Sequence, residues 1–140
     1  MDRISPANRS WNMSRITGRN SAPELAVRSF LHRQGLRFRL HAAGLPGRPD
    51  IVLPRSRTAV LVHGCFWHRH RRCRFAYVPK TNLGFWQEKF EKNVARDKRT
   101  SRALRSLGWH VVIIWACQTD DVDLIKRTVV RPHRQRTRNR

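Results

Sequence analysis

The stretch Asp50-Ile51-Val52-Leu53-Pro54-Arg55-Ser56-Arg57-Thr58-Ala59-Val60-Leu61-Val62 decides the fold. Two short apolar runs flank a polar three-residue turn, the pattern of a β-hairpin of two apolar strands. Upstream, Leu36-Arg37-Phe38-Arg39-Leu40 alternates with period two and predicts a half-buried strand. A loop containing Gly44, Pro46, Gly47 and Pro49 separates it from the hairpin. Further upstream, Ser21-Ala22-Pro23-Glu24 has the form of a helix start: Ser as N-cap, Pro in the first turn and Glu closing a capping box. Leu25, Val27, Phe30 and Leu31 follow, and Gly35 ends that helix. Downstream, residues 64–80 are irregular. A long helix is expected from Phe85 to Leu107 with Gly108 as its stop, then a buried strand from Trp109 to Trp115. The acidic group Asp120, Asp121 and Asp123 opens a last helix running to Val130. A strand, a long helix and another strand imply a parallel crossover, and the first three strands form an antiparallel meander. The expected fold class is α/β, a mixed central sheet with helices on its faces.

The chain has 140 residues, enough for one domain with a substantial core. The expected organisation is an N-terminal arm over 1–20, a domain over 21–130 and a basic, disordered tail over 131–140. No apolar run is long enough to cross a bilayer, and Met1-Asp2-Arg3 opens no signal-peptide core, so the expected location is cytoplasmic. Thirty Lys and Arg against nine Asp and Glu give a net charge of +21. Self-repulsion on that scale calls for a polyanionic partner, and phosphate backbones meet that need through counterion release. Charge alone does not separate an enzyme from a binding module.

The nine carboxylates are the whole pool for acidic catalysis. Glu88 and Glu91 sit among lysines, and the three late aspartates read as a cap, which leaves Glu24, Asp50 and Asp97. Asp50, at the mouth of a strand after a Gly/Pro loop, suits either a metal ligand or a turn cap. Three cysteines, an odd number, argue against a disulfide framework. Cys65, His70, Cys73 and Cys117 make a Cys₃His set of the kind that holds structural zinc, with His68 competing with His70. Such a site would staple the irregular loop to the end of the last strand. Phe66, Trp67 and Trp86 are large rings beside a basic loop, costly to expose unless they bind something. Trp109 and Trp115 fit core packing.

Several strings carry more than composition. Leu45-Pro46-Gly47-Arg48-Pro49-Asp50 precedes one strand and His63-Gly64-Cys65-Phe66-Trp67-His68 follows the next. Phe85-Trp86, Lys92-Asn93-Val94, Arg96-Asp97, Leu107-Gly108-Trp109 and Trp115-Ala116-Cys117 complete the set. From about Asn12 to Thr119 the chain resembles the very short patch repair endonucleases, which nick mismatched DNA. The resemblance implies a restriction-endonuclease-like sheet with a structural zinc site. It implies Asp50 and the backbone carbonyl of Val62 as Mg²⁺ ligands, with the Val62 side chain departing from the family's frequent Thr. It implies His68 as general base, His63 and Asp97 as its support, and Glu24 holding metal-bound water. Phe66, Trp67 and Trp86 would wedge into the duplex from the major groove, with Met13 and Ile16 of the arm approaching from the minor groove. The implied activity is Mg²⁺-dependent nicking 5′ to the T of a T:G mismatch left by deaminated 5-methylcytosine. A cytosine-5 methyltransferase, a polymerase and a ligase are the implied functional neighbours, and a single asymmetric nick suits a monomer. Two other readings stand beside it: a restriction or homing-type nuclease of the same fold, and a non-catalytic zinc-stapled DNA-binding module.

Overall fold

The computed structural model of the protein describes residues 20–138. The arm residues Met13 and Ile16 lie outside the described residues. The chain runs through α1 (Ala22–Arg33), β1 (Arg39–Leu40), β2 (Ile51–Leu53), β3 (Thr58–His63), α2 (Leu83–Ser106) and β4 (His110–Trp115). A 3₁₀ turn (Ala116–Gln118) leads to α3 (Val122–Ile125), a π-turn segment (Lys126–Val130) and α4 (Arg131–Arg138). The four strands lie in the order β1-β2-β3-β4. β1, β2 and β3 pair antiparallel, and β3 pairs parallel with β4. The sheet is therefore mixed, and its parallel pair is joined through the long α2, as the pattern of elements predicts.

Both sheet faces are covered, which is why the strands read as continuous apolar runs rather than alternating ones. Ile51, Leu53, Val60 and Ile114 face Val27, Leu31, Ile125, Val129 and Val130. That is the larger core, roofed by α1 and the C-terminal helical segment. On the other face Val52 and Ala59 meet Leu104 of α2, with Trp109 and Val111 packed alongside. Fully burying one Leu or Ile contributes about 1.5–3 kcal/mol, so the larger cluster dominates the fold's stability.

Local signals explain the ends of the elements. The Ser21 hydroxyl accepts from the Glu24 backbone N–H at 3.4 Å. The reciprocal half of the expected capping box is absent, because the Glu24 carboxylate turns to Arg28 and His41 instead. Gly35 at φ +79° lets Leu36 N–H reach back to Leu31 O, a 6→1 helix closure. That closure consumes Leu36 and shortens the predicted strand 36–40 to Arg39–Leu40. Asp121 caps α3 through Leu124 N–H at 3.1 Å. β4 is an edge strand, so of its residues only Ile114 is fully buried, less than the expected buried strand.

The largest departure is at the C-terminus. Composition predicts disorder over 131–140, yet residues 131–138 form α4. Its anchor is His133, buried with Nδ1 2.7 Å from the Ser56 hydroxyl. The preceding π turn places Val129 and Val130 together in the core. It also spares Pro132, which has no N–H, an α-type bond it could not make.

Candidate active site and metal centre

Antiparallel pairing of β1 with β2 and parallel pairing of β3 with β4 bring the chemistry-bearing residues to one end of the sheet. Asp50 stands just before β2, His63 ends β3, and the register sets His63 beside Trp115 at the end of β4. A cleft of about 880 Å³ opens there, lined by Asp50, Val62, His63, Trp67, His68 and Asp97, among others.

The loop before Asp50 is held tightly. Gly47 has φ +70°, and a Cβ there would stand 2.3 Å from the Thr100 side chain on α2. The loop thus presses against α2 at a point where only glycine fits, and this fixes where Asp50 emerges. The Asp50 carboxylate accepts from Val62 N–H at 2.8 Å. Burial pushes its pKa up to about 6; the Val62 bond opposes that rise and the adjacent Glu24 adds to it. Glu24 is buried at 1% exposure and accepts from His41 Nε2 at 3.0 Å and from Arg28 at 3.3 Å. Ligand atoms of Glu24, His41 and Asp50 all lie within 4.8 Å of one another. Two carboxylates sharing one buried spot favour a bound cation, which offsets both the burial and the repulsion.

Beside this cluster, His68 Nδ1 lies 2.6 Å from Asp97 Oδ2. Asp97 is therefore tied to a histidine rather than to its neighbours Arg96 or Lys98 on the helix surface. A carboxylate at Nδ1 holds the tautomer that leaves Nε2 as the basic nitrogen. His63 stacks on His68, ring centroids 4.0 Å apart and 10° from parallel. Burial, then the neighbouring His68, hold the His63 imidazole down at about 4, so it is neutral near pH 7. Its buried Nδ1 finds no hydrogen-bond partner among the described residues.

On the other side of Trp115, ligand atoms of Cys65, His70, Cys73 and Cys117 also fall within 4.8 Å of one another. Cys73 Sγ and Cys117 Sγ are 4.0 Å apart, and Cys117 Sγ is 3.4 Å from His70 Nδ1. Two thiolates each about 2.3 Å from a tetrahedral ion stand about 3.8 Å apart, so this geometry fits zinc and excludes a disulfide. Burial pushes the Cys65 thiol up to about 12, so a thiolate there needs a cation beside it. Of the two competing histidines, His70 joins the cysteines and His68 goes to Asp97.

The aromatic residues differ from their expectation. Phe66, Trp67 and Trp86 are half-buried, not exposed. They pack with Phe90 and Tyr77 in a run of ring contacts 5.0–5.8 Å between centroids. Arg69 lies 3.9 Å over the Phe90 ring and donates to the Phe66, Ala76 and Tyr77 carbonyls, tying the loop over the cluster. Among the described residues the exposed large rings are Phe75, Tyr77 and Phe85.

Sequence reasoning missed two residues of the site. His41 has no local signal, but pairing Leu40 with Ile51 sets it opposite Asp50, where its N–H reaches Asp50 O at 3.1 Å. Trp115, assigned to core packing, stacks on His70 at 4.3 Å and meets His63 edge-on at 5.3 Å. It touches a ring of the histidine pair and a ring of the Cys₃His cluster at once.

Comparison with known proteins supplies the lineage. The family model described as DNA mismatch endonuclease Vsr matches residues 1–74. The type II nicking enzyme V.XorIIP of Xanthomonas oryzae pv. oryzae is 47% identical over 125 residues, covering 89% of this chain and 91% of the relative. The DNA mismatch endonuclease Vsr of Escherichia coli is 49% identical over 111 residues, covering 79% and 70% respectively. The type II nicking enzyme V.NmeAIP of Neisseria meningitidis is 39% identical over 117 residues, covering 84% and 83%. With that identity sustained over most of both partners, the chain belongs to the Vsr family of DNA mismatch endonucleases.

Proposed function

We propose that the protein is a mismatch endonuclease that nicks duplex DNA 5′ to the T of a T:G mismatch. The reading rests most on one observation: a histidine held by a carboxylate, His68–Asp97, lines the same cleft as Asp50, whose half-buried carboxylate is backed by the buried Glu24. Family membership supplies the substrate class. The sheet is then of restriction-endonuclease type, with Asp50 at its catalytic edge.

Mg²⁺ bound at Asp50 would neutralise charge developing on the scissile phosphate and orient the attacking water. Asp50 and the Val62 carbonyl would hold that ion, and the Glu24 oxygens would hold water beside it. His68 takes the water's proton at Nε2, while Asp97 balances the charge that appears on the ring. His63, kept neutral, adds no second positive charge to the imidazolium against which it stacks. The Cys₃His cluster would hold zinc and so keep residues 64–80 fixed against β4, where His68 meets Asp97. The aromatic cluster presents Phe66, Trp67 and Trp86 to the duplex; unstacking a base step is cheapest where pairing is already defective. A cytosine-5 methyltransferase is the functional neighbour in this reading, and a polymerase and ligase act afterwards to complete the repair in a bacterial-type cytoplasm. No helix among the described residues is long and apolar enough to cross a membrane.

The test uses labelled duplexes differing only in T:G against C:G at one position, with and without Mg²⁺. The expected result is Mg²⁺-dependent cutting 5′ to the T in the mismatched duplex alone. Equal cutting of both duplexes would make it a restriction-type enzyme. Tight binding without cutting would make it a DNA-binding module.

A further inference from the structure

The helical segment after Val122 has two sides, and the cleft uses neither. Its inner side is tied to the body of the protein. His133 bonds Ser56, which bonds the Thr58 hydroxyl at 2.8 Å, and Arg136 donates to that same hydroxyl at 3.3 Å. At the border between the two sides, the exposed Arg134 donates to the Gln34 carbonyl, at the end of α1, at 3.0 Å. Its outer side carries Arg127, Arg131, Arg134 and Arg138, all exposed, at intervals of four, three and four residues. That spacing puts them on one helical stripe. None of the four joins an ion pair among the described residues. Like charges four apart on a helix destabilise it, so an ordered row of this kind gains stability only when an anion covers it.

The stripe stands away from the cleft. Thr58, which α4 grips, begins β3, and His63 in the cleft ends it. Ser21 and Pro23 line the cleft, and α1 runs from there to Gln34, which α4 also grips. Both paths span roughly 18 Å.

We propose that Arg127, Arg131, Arg134 and Arg138 form a second binding surface for the backbone of duplex DNA, holding phosphates other than those seated in the cleft. The stripe is about 16 Å long. A duplex carries one negative charge per roughly 1.7 Å of axis, so several phosphates face it at once. Guanidiniums fork onto phosphate oxygens, and the grip is blind to base sequence. It keeps the protein on long DNA while the cleft searches. The proposal rests on duplex DNA being the substrate of the cleft.

The test is the triple variant Arg127→Gln/Arg131→Gln/Arg138→Gln, which leaves the Arg134 tether and every cleft residue in place. Affinity for a long, fully paired duplex is measured against salt, and nicking is measured on two mismatched substrates: a duplex just long enough to fill the cleft, and a plasmid. The salt slope is expected to fall by about 2–3 units. Nicking of the plasmid should drop several-fold at physiological salt, with the short duplex cut at the wild-type rate and the melting temperature no lower. An unchanged salt slope overturns the proposal, as does an equal loss on both substrates. A preference of the wild-type stripe for single-stranded RNA over duplex DNA, lost in the variant, overturns the choice of ligand. If the wild-type protein nicks neither substrate, the proposed function fails, while the salt slope still decides the stripe.

Discussion

At the scale of single residues, the site is a set of costs that a bound partner removes. Glu24 is buried and Asp50 half-buried beside it, and the price of crowding two carboxylates there is what makes a cation favourable. Asp50→Ala should abolish nicking while leaving DNA affinity within a few-fold of wild type, checked by nicking and gel-shift assays on one duplex. Surviving activity would remove Asp50 from the chemistry. Trp67 is packed against Phe66 and Trp86 yet lines the cleft, so it has both a packing surface and a face toward substrate. Trp67→Ala should cut the preference for mismatched over paired duplex more than it cuts overall affinity. Equal losses would make it a packing residue only.

At the scale of elements, the informative one is α4, a helix of arginines docked through a buried histidine. Burial holds the His133 pKa below its ordinary value of 6.5, and the guanidiniums of Arg55, Arg134 and Arg136 lower it further. The folded state therefore prefers neutral His133, whereas the unfolded chain takes up a proton below about pH 6.5. Stability from this contact is complete above that pH and is lost as pH falls through it. Thermal melts from pH 8 down to pH 5 should show a falling midpoint, with a shallower fall in His133→Asn. Identical slopes would mean that the helix is not held by this imidazole. The other lowered histidines, His63, His70 and His110, act in the same direction, so the slope should shrink rather than vanish.

For the whole molecule, the question is which parts depend on which. Neither of the hydrophobic clusters uses the Cys₃His ligands, and these ligands are what join residues 64–80 to the end of β4. On the proposed zinc assignment, a zinc-selective chelator with Mg²⁺ kept in excess should therefore lower the melting temperature and stop nicking, while the far-ultraviolet circular dichroism of the sheet and helices largely persists. Cys117→Ser should reproduce the effect and lower the zinc content. An unchanged metal count in that variant would sink the zinc assignment. Full unfolding on chelation would mean that the metal holds the core as well as the loop.

The amino-acid sequence alone determined the order of elements from α1 to β4 and the pairing of the strands. Apolar runs at 51–53 and 58–62, the cap at Ser21 and the stops at Gly35 and Gly108 are local signals that depend only on neighbouring residues. The acids and the Cys/His residues of the site were also legible, because few residue types can do that chemistry and this chain has few of them. Tertiary structure alone decided which of these residues meet. His41 reaches Asp50 through strand register, Trp115 meets His63 through parallel pairing and also stacks on His70, and His68 rather than His70 finds Asp97 across 29 positions of chain. Order in the tail was decided in the same way. Its composition favours solvent, and its helix exists because two valines and a histidine find a place in the core and on Ser56, contacts between residues as far as 77 positions apart that no local window contains.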